Sequence, residues 1–234
     1  MMDPVSQPAC TFRLSPSDFA FLWEECKRCF YLKVTGKLER PQLPFPKIFN
    51  AIDEAMKAFY EGKHTSAMAP AMPAGTVLNP PSDWVESQPI TPPGAASACF
   101  IKGKFDTVLR LDDGSYAVID FKTSDIRGDN TVKYSRQLHA YALALENPAG
   151  GSQGLKPISK LGLLVYDPKA FAGDGLGQAA LSGKLAWLEI PRDDAAFRAY
   201  LAEVLKLLER PEAPAASPGC RFCQYRDAAR RTGH

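Results

Sequence analysis

Apolar residues recur at a helical period in four stretches of the chain and at a strand period in four others. In "LSPSDFAFLWEECKRCFYLKVTGK", Phe19, Leu22, Trp23 and Cys26 fall at helical spacing. Ser15 stands at the N-cap position, Pro16 at the first helical position, and Asp18 where a capping carboxylate sits. A second helix is predicted over about 47–61, with Ile48, Ile52, Ala55, Met56 and Phe59 on one face. Strands follow in "CFIKGKFDTVLRL" and "SYAVIDFKT", joined as a hairpin by the turn "DDG". A helix over 131–146 turns Val132, Leu138, Tyr141, Ala142 and Leu145 inward. Strands at 161–167 and 185–191 flank a Gly-rich loop, and a helix over about 193–209 buries Phe197, Leu201, Val204, Leu205 and Leu208. The order helix, helix, strand, strand, helix, strand, strand, helix predicts an α/β sandwich around a small mixed sheet.

Two stretches lack this periodicity. Residues 1–13 read as a loose tail, and residues 63–97, rich in Pro, Ala and Ser, read as a long insertion or lid. The remainder, 14–234, reads as a single domain. A net charge of +2 neither demands nor excludes a nucleic-acid partner, so any basic surface must be local. No apolar run approaches the ~20 residues that span a bilayer. "MMDPVSQPACTFRLSPSD" shows no signal-peptide pattern, so the expected compartment is cytoplasmic and reducing. There, six cysteines read as free thiols or metal ligands rather than disulfides.

The chemistry concentrates in "AVIDFKTSD", residues 117–125. Strand alternation puts Asp120 and Lys122 on one face and Phe121 on the other, in the core. Asp106 lies on the neighbouring strand of the hairpin, where it converges with Asp120 at one edge of the sheet. Two carboxylates and a lysine suit a hard divalent cation, Mg²⁺ or Mn²⁺, and phosphodiester hydrolysis. A bare D-x-K is common and by itself reads as a surface ion pair. The context changes that reading: G-x-x-D, a turn, D-x-K, then a helix carrying "QLHAYALAL".

The run "GKFD…VIDFKTSD…QLHAYALAL" resembles the RecB-like branch of the PD-(D/E)XK nuclease superfamily, which includes CRISPR-associated exonucleases. The resemblance implies a restriction-endonuclease-like core. It makes Asp106 and Asp120 the metal-binding acids, Lys122 the lysine that acts on the attacking water, and the backbone carbonyl of Phe121 a further ligand. Gln137 and Tyr141, one helical turn apart, match the helix that positions substrate or lysine. An upstream helical ligand, usually His or Glu, falls on Asp53, with Glu54 next to it.

"CKRC" (Cys26, Cys29) and "CRFC" (Cys220, Cys223) suggest a four-thiolate site that suits Zn²⁺ or an iron–sulfur cluster, the alternative being two pairs of free thiols with no metal. The resemblance favours a 4Fe–4S cluster, with zinc as the rival. It places the family's last cysteine near Ala229 and leaves Cys29 as an extra thiolate. Cys99 reads as core, Cys10 as unpaired, and His64, His139 and His234 as scattered. Around the cysteines stand Lys27, Arg28, Lys33 and Lys37, and at the other end Arg221, Arg226, Arg230 and Arg231. With Phe30, Tyr31, Phe222 and Tyr225 interleaved, they suit single-stranded DNA; Lys27, Arg28, Tyr31, Lys33, Arg226 and Arg230 are the chosen contacts. The resemblance implies a metal-dependent exonuclease on single-stranded ends, serving repair, recombination or CRISPR-type processing beside a helicase or CRISPR-type protein. The competing reading is a catalytically weak nucleic-acid-binding module that keeps the fold as a scaffold.

Overall fold

The computed structural model describes residues 10–41, 44, 46–80, 82–125 and 129–232. The strands are β1 (Thr11–Leu14), β2 (Gly75–Val77), β3 (Trp84–Glu86), β4 (Ala98–Lys104), β5 (Thr107–Leu111), β6 (Tyr116–Thr123), β7 (Ile158–Gly173) and β8 (Ala179–Ile190). The helices are α1 (Pro16–Ala20), α2 (Leu22–Glu25), α3 (Lys27–Val34), α4 (Lys47–Tyr60), α5 (Asp129–Glu146), α6 (Asp194–Leu208) and α7 (Arg221–Arg231). The mixed α/β sandwich expected from the sequence forms, on two sheets rather than one. A five-stranded sheet runs β2-β5-β6-β7-β8 and a three-stranded sheet runs β1-β4-β3.

The central strand is β6, antiparallel to β5 and parallel to β7 through the crossover helix α5. Its apolar run is buried on both faces, which is why it reads as continuous rather than alternating. Val118 joins the core under α5 and α6, with Leu138, Leu145, Leu201 and Leu205. Ala117, Ile119 and Phe121 join a second cluster on the other face, against Met56 and Tyr60 of α4. Phe121 therefore points away from Asp120, as alternation requires. The face expected for α6 is the face it buries, each large side chain contributing about 1.5–3 kcal/mol.

Five expectations change. Residues 1–9 lie outside the described residues, but Thr11–Leu14 is a strand paired parallel to β4, so the N-terminal segment is not loose up to residue 13. The 63–97 stretch extends both sheets, β2 pairing with β5 and β3 with β4. The first helix breaks at Phe21 and Cys26 into α1, α2 and α3; Ser15 makes no capping bond, and Asp18 pairs with Lys33 at 2.9 Å. On α4 no residue is fully buried and Phe59 is 59% exposed, while Val132 on α5 is 78% exposed. The Gly-rich loop is mostly strand: the β7–β8 ladder runs on to Gly173 and Ala179. Turn chemistry closes that arm. Asp174 Oδ1 accepts from the N–H groups of Leu176 and Gln178, and Gly175 and Gly177 take positive φ.

The hairpin drawn from residues 99 to 123 is also interrupted. The chain leaves one sheet after Lys104 and enters the other at Thr107, so β4 and β5 are separate strands. Phe105 N–H bonds to the Asp83 carbonyl at 2.9 Å, and its ring is fully buried. Among the described residues, no helix is long and apolar enough to cross a membrane.

Trp187 on β8 lies across Gly162 on β7, leaving no room for a side chain: a Cβ there would meet the indole at 2.1 Å. The Gly162→Ala variant is expected to lose about 1–3 kcal/mol in urea unfolding, with little change in the slope.

Candidate active site

The β5–β6 register pairs Thr107 with Ile119, so the next residues outward along the two strands are Asp106 and Asp120. No backbone ladder continues there. The Asp106 side chain takes its place, Oδ2 accepting from Phe121 N–H at 2.8 Å. A strand residue turns its N–H and C=O to the same side, so the Phe121 carbonyl faces the same edge.

Asp120 is 3% exposed and sits on the α5 side of β6. Gln137 Nε2 donates to its Oδ1 at 3.3 Å. Its Oδ2 forms an ion pair with Lys122 Nζ and takes no hydrogen bond. Burial pushes the Asp120 carboxyl up to about 7; Asp106 adds to this and Lys122 opposes it. Burial works against the Lys122 charge too, but Asp120 and Asp106 outweigh it and hold the ammonium above its ordinary range. The Lys122 ammonium also lies 4.7 Å from the centre of the Tyr134 ring.

On α4, Asp53 is half-buried and Glu54 exposed, so of the two it is Asp53 that faces the site. Burial pushes the Asp53 carboxyl up, against the pull of Lys57. Lys57 is a residue the sequence reading missed. Its ammonium bridges Asp53 Oδ2 at 2.8 Å and Asp106 Oδ1 at 2.9 Å. The available signal was the D-x-x-x-K spacing, which stacks the two side chains on one helix face. Tyr134 was missed as well; it lies one turn before Gln137 on α5.

Tyr141 occupies a different place from the one expected. Its hydroxyl donates to the Lys104 carbonyl at 2.6 Å, holding the end of β4 just before Asp106. Gln137 thus touches the acid, while Tyr141 supports the strand that delivers Asp106. A cleft of about 400 Å³ is lined by Phe21, Phe49, Asp53, Asp106, Lys122 and Tyr134, while Asp120, Gln137 and Tyr141 are buried.

These residues fit a hard divalent cation. The donors are all oxygens, and Asp120 Oδ2 is buried with only an ammonium beside it. Three carboxylates against two ammonium groups leave one uncompensated negative charge when all are ionised.

The second candidate centre also assembles. Cys26, Cys29, Cys220 and Cys223 are buried, with all four sulfurs within 4.8 Å of one another. Burial alone would raise the Cys26 thiol, but backbone N–H groups of Ser217 and Cys29 bring it down to about 6. Cys99 is fully buried in β4 and Cys10 is exposed.

The DNA contacts chosen beside the cysteines do not form a free basic surface. Lys27 pairs with Glu203, Lys33 with Asp18, and Arg28 and Arg226 with Asp227. Tyr31 is buried with its hydroxyl on the Arg210 carbonyl, and Phe30 is fully buried, because both complete the core under α3. Neither is open to a base; Arg230 and Tyr225 on α7 are exposed. His139 accepts from Asp193 N–H at 2.8 Å, a structural role, and His64 caps a 3-10 turn; His234 lies outside the described residues.

An acid just before β5, an acid on β6 with a lysine two residues on, and a crossover helix touching the buried acid meet at one edge of the mixed sheet. Residues 79–228, well over half of the chain, match the PD-(D/E)XK nuclease superfamily, and the chain belongs to it. No curated protein matches this chain. The solved structure titled "Crystal structure of SSO0001" is similar at 17% identity and a TM-score of 0.46, over 86% of this chain and 79% of that one, too distant to bear on function.

Removing the Tyr141 hydroxyl separates support from chemistry. The Tyr141→Phe variant is expected to lose about 1–2 kcal/mol of unfolding free energy, because the Lys104 carbonyl loses its donor. Cleavage of a nucleic-acid substrate by this variant should fall through misplacement of Asp106 while substrate binding is retained.

Proposed function

We propose that the chain is a Mg²⁺- or Mn²⁺-dependent DNA nuclease acting on single-stranded ends. The observation that carries the reading is the meeting of Asp106, Asp120 and Lys122 at one sheet edge, with Gln137 on the buried acid. Asp106, Asp120, Asp53 and the Phe121 carbonyl are the residues that would hold the cation. When bound, a divalent cation supplies a polarised phosphoryl oxygen and a bound water of lowered pKa.

Lys122 stays protonated at neutral pH beside two carboxylates. Its role in this reading is to orient the attacking water and to stabilise charge that develops on phosphate. Gln137 fixes the rotamer of Asp120 through Oδ1. Lys57 holds Asp53 and Asp106 toward each other. Phe21, Phe49 and Tyr134 line the cleft beside Asp53, Asp106 and Lys122. The preference for DNA and for ends follows from the RecB-like motif run.

One observation favours the competing reading of a binding module: Lys57 bridges two of the carboxylates that a cation would need. The test is degradation of end-labelled single-stranded DNA with Mg²⁺ or Mn²⁺. Wild type is expected to be active and Lys122→Ala to be at least ~10²-fold slower. Full activity in the variant would refute the assignment of Lys122, and inactive wild type would leave the binding module as the function.

Cation binding has its own readout. Mn²⁺ is expected to raise the melting temperature of wild type in a concentration-dependent way, and to leave that of Asp120→Asn unchanged. Equal shifts in the two proteins would place the cation elsewhere.

A further inference from the structure

The cysteine site joins two segments that are distant in sequence. Cys26 caps α3 and Cys29 lies in its first turn; Cys220 caps α7 and Cys223 lies in its first turn. Cys29 Sγ lies 3.5 Å from Cys223 Sγ and 3.7 Å from Cys220 Sγ, and Cys26 Sγ lies 3.9 Å from Cys223 Sγ.

Two kinds of centre take four thiolates. In a mononuclear zinc site the Zn–S bond of about 2.3 Å sets the sulfurs of a tetrahedron about 3.8 Å apart. In a 4Fe–4S cluster each thiolate binds a different iron, and the cube between them holds the thiolates on the order of 6 Å apart. These three contacts lie near the first spacing and all run between the two segments, and all four sulfurs fall within 4.8 Å of one another. Admitting a cube would mean parting α3 from α7 by more than 2 Å across every contact, by comparison of those two spacings.

α3 is anchored in the core, so such a parting would have to move α7, which Arg40 ties down. Phe30, next to Cys29, is fully buried, and Tyr31 ties α3 to the Arg210 carbonyl at 2.8 Å. Arg40 spans the junction: it donates to Cys220 Sγ at 3.2 Å, pairs with Glu25 at 2.6 Å, and lies 4.5 Å over the Phe222 ring. Charge does not separate the two centres, since four thiolates around either leave a net negative group that Arg40 and the N–H groups of Ser217 and Cys29 can meet. Size does.

We propose that Cys26, Cys29, Cys220 and Cys223 hold one tetrahedral zinc ion, in place of the 4Fe–4S cluster that the resemblance implies. Such a closed site, with no position left for substrate, is structural: it clamps α3 to α7 and takes no part in cleavage.

The test is the metal and sulfide content of the full chain, purified without oxygen from cells supplied with both iron and zinc. The expected result is about one zinc per chain, no acid-labile sulfide and a colourless protein. Growth in cobalt should give the visible absorption of a tetrahedral cobalt thiolate, and stripping the zinc with a strong chelator should lower the melting temperature. About four irons with matching sulfide would overturn the proposal, as would a single iron or six free thiols with no metal. The measurement is made on wild type, so no variant needs to fold. It involves no residue of the Asp106–Asp120 site, so its failure leaves the nuclease reading untouched.

Discussion

One carboxylate oxygen closes the end of the strand pair on which the site is built. Where β5 and β6 part, Asp106 Oδ2 replaces a backbone acceptor and takes the Phe121 N–H. That bond stands in for the missing rung of the ladder and orients Asp106. It also brings the carboxyl to the same edge as the Phe121 carbonyl and beside Asp120. The switch of the chain between sheets at Phe105, held by the Lys104 carbonyl on Tyr141, makes the arrangement possible.

The charges around this edge are costly to keep. Asp120 is buried beside Lys122, and Lys57 is held between Asp53 and Asp106. Burying ions costs several kcal/mol each before pairing returns part of it, and a hydrophobic set of the same volume would be at least as stable. The protein retains an acid whose carboxyl is raised to about 7 and an ammonium held above its ordinary range. Both groups lie above their ordinary range, the carboxyl because it is buried and the ammonium because Asp120 and Asp106 face it. The two lysines balance most of the carboxylate charge, which lets the site fold before any cation enters it.

The opposite end of the molecule follows another economy. α3 and α7 are short, and α7 buries only Cys223 among its side chains. Packing alone gives such a helix little hold, and the thiolate junction with Arg40 provides the attachment that a core would otherwise provide. Of the basic residues nearby, Arg28 pairs with Asp227 across this junction, Lys27 and Lys33 pair with α6 and α1, and Arg230 is exposed.

The sequence by itself determined the strand and helix periods, the mixed α/β class, the common face of Asp120 and Lys122, and the two cysteine pairs. These are local properties: alternation and helical spacing fix which side chains share a face without reference to the rest of the chain. Tertiary structure decided the rest. The 3.6-residue period spoke equally for Ile48 and Phe59 on α4 and for Leu201 on α6, yet only α6 found a core to cover it. Asp53 was separated from Glu54 only by the way α4 leans on the sheet. Tyr141 reaches the Lys104 carbonyl because the chain breaks between β4 and β5 within "KGKFD", which strand alternation alone reads through. Lys57 joined Asp106 from 49 residues away, a distance that no spacing rule spans. Which charges meet is set by the path of the backbone between them, and that path is fixed by the packing of the whole domain.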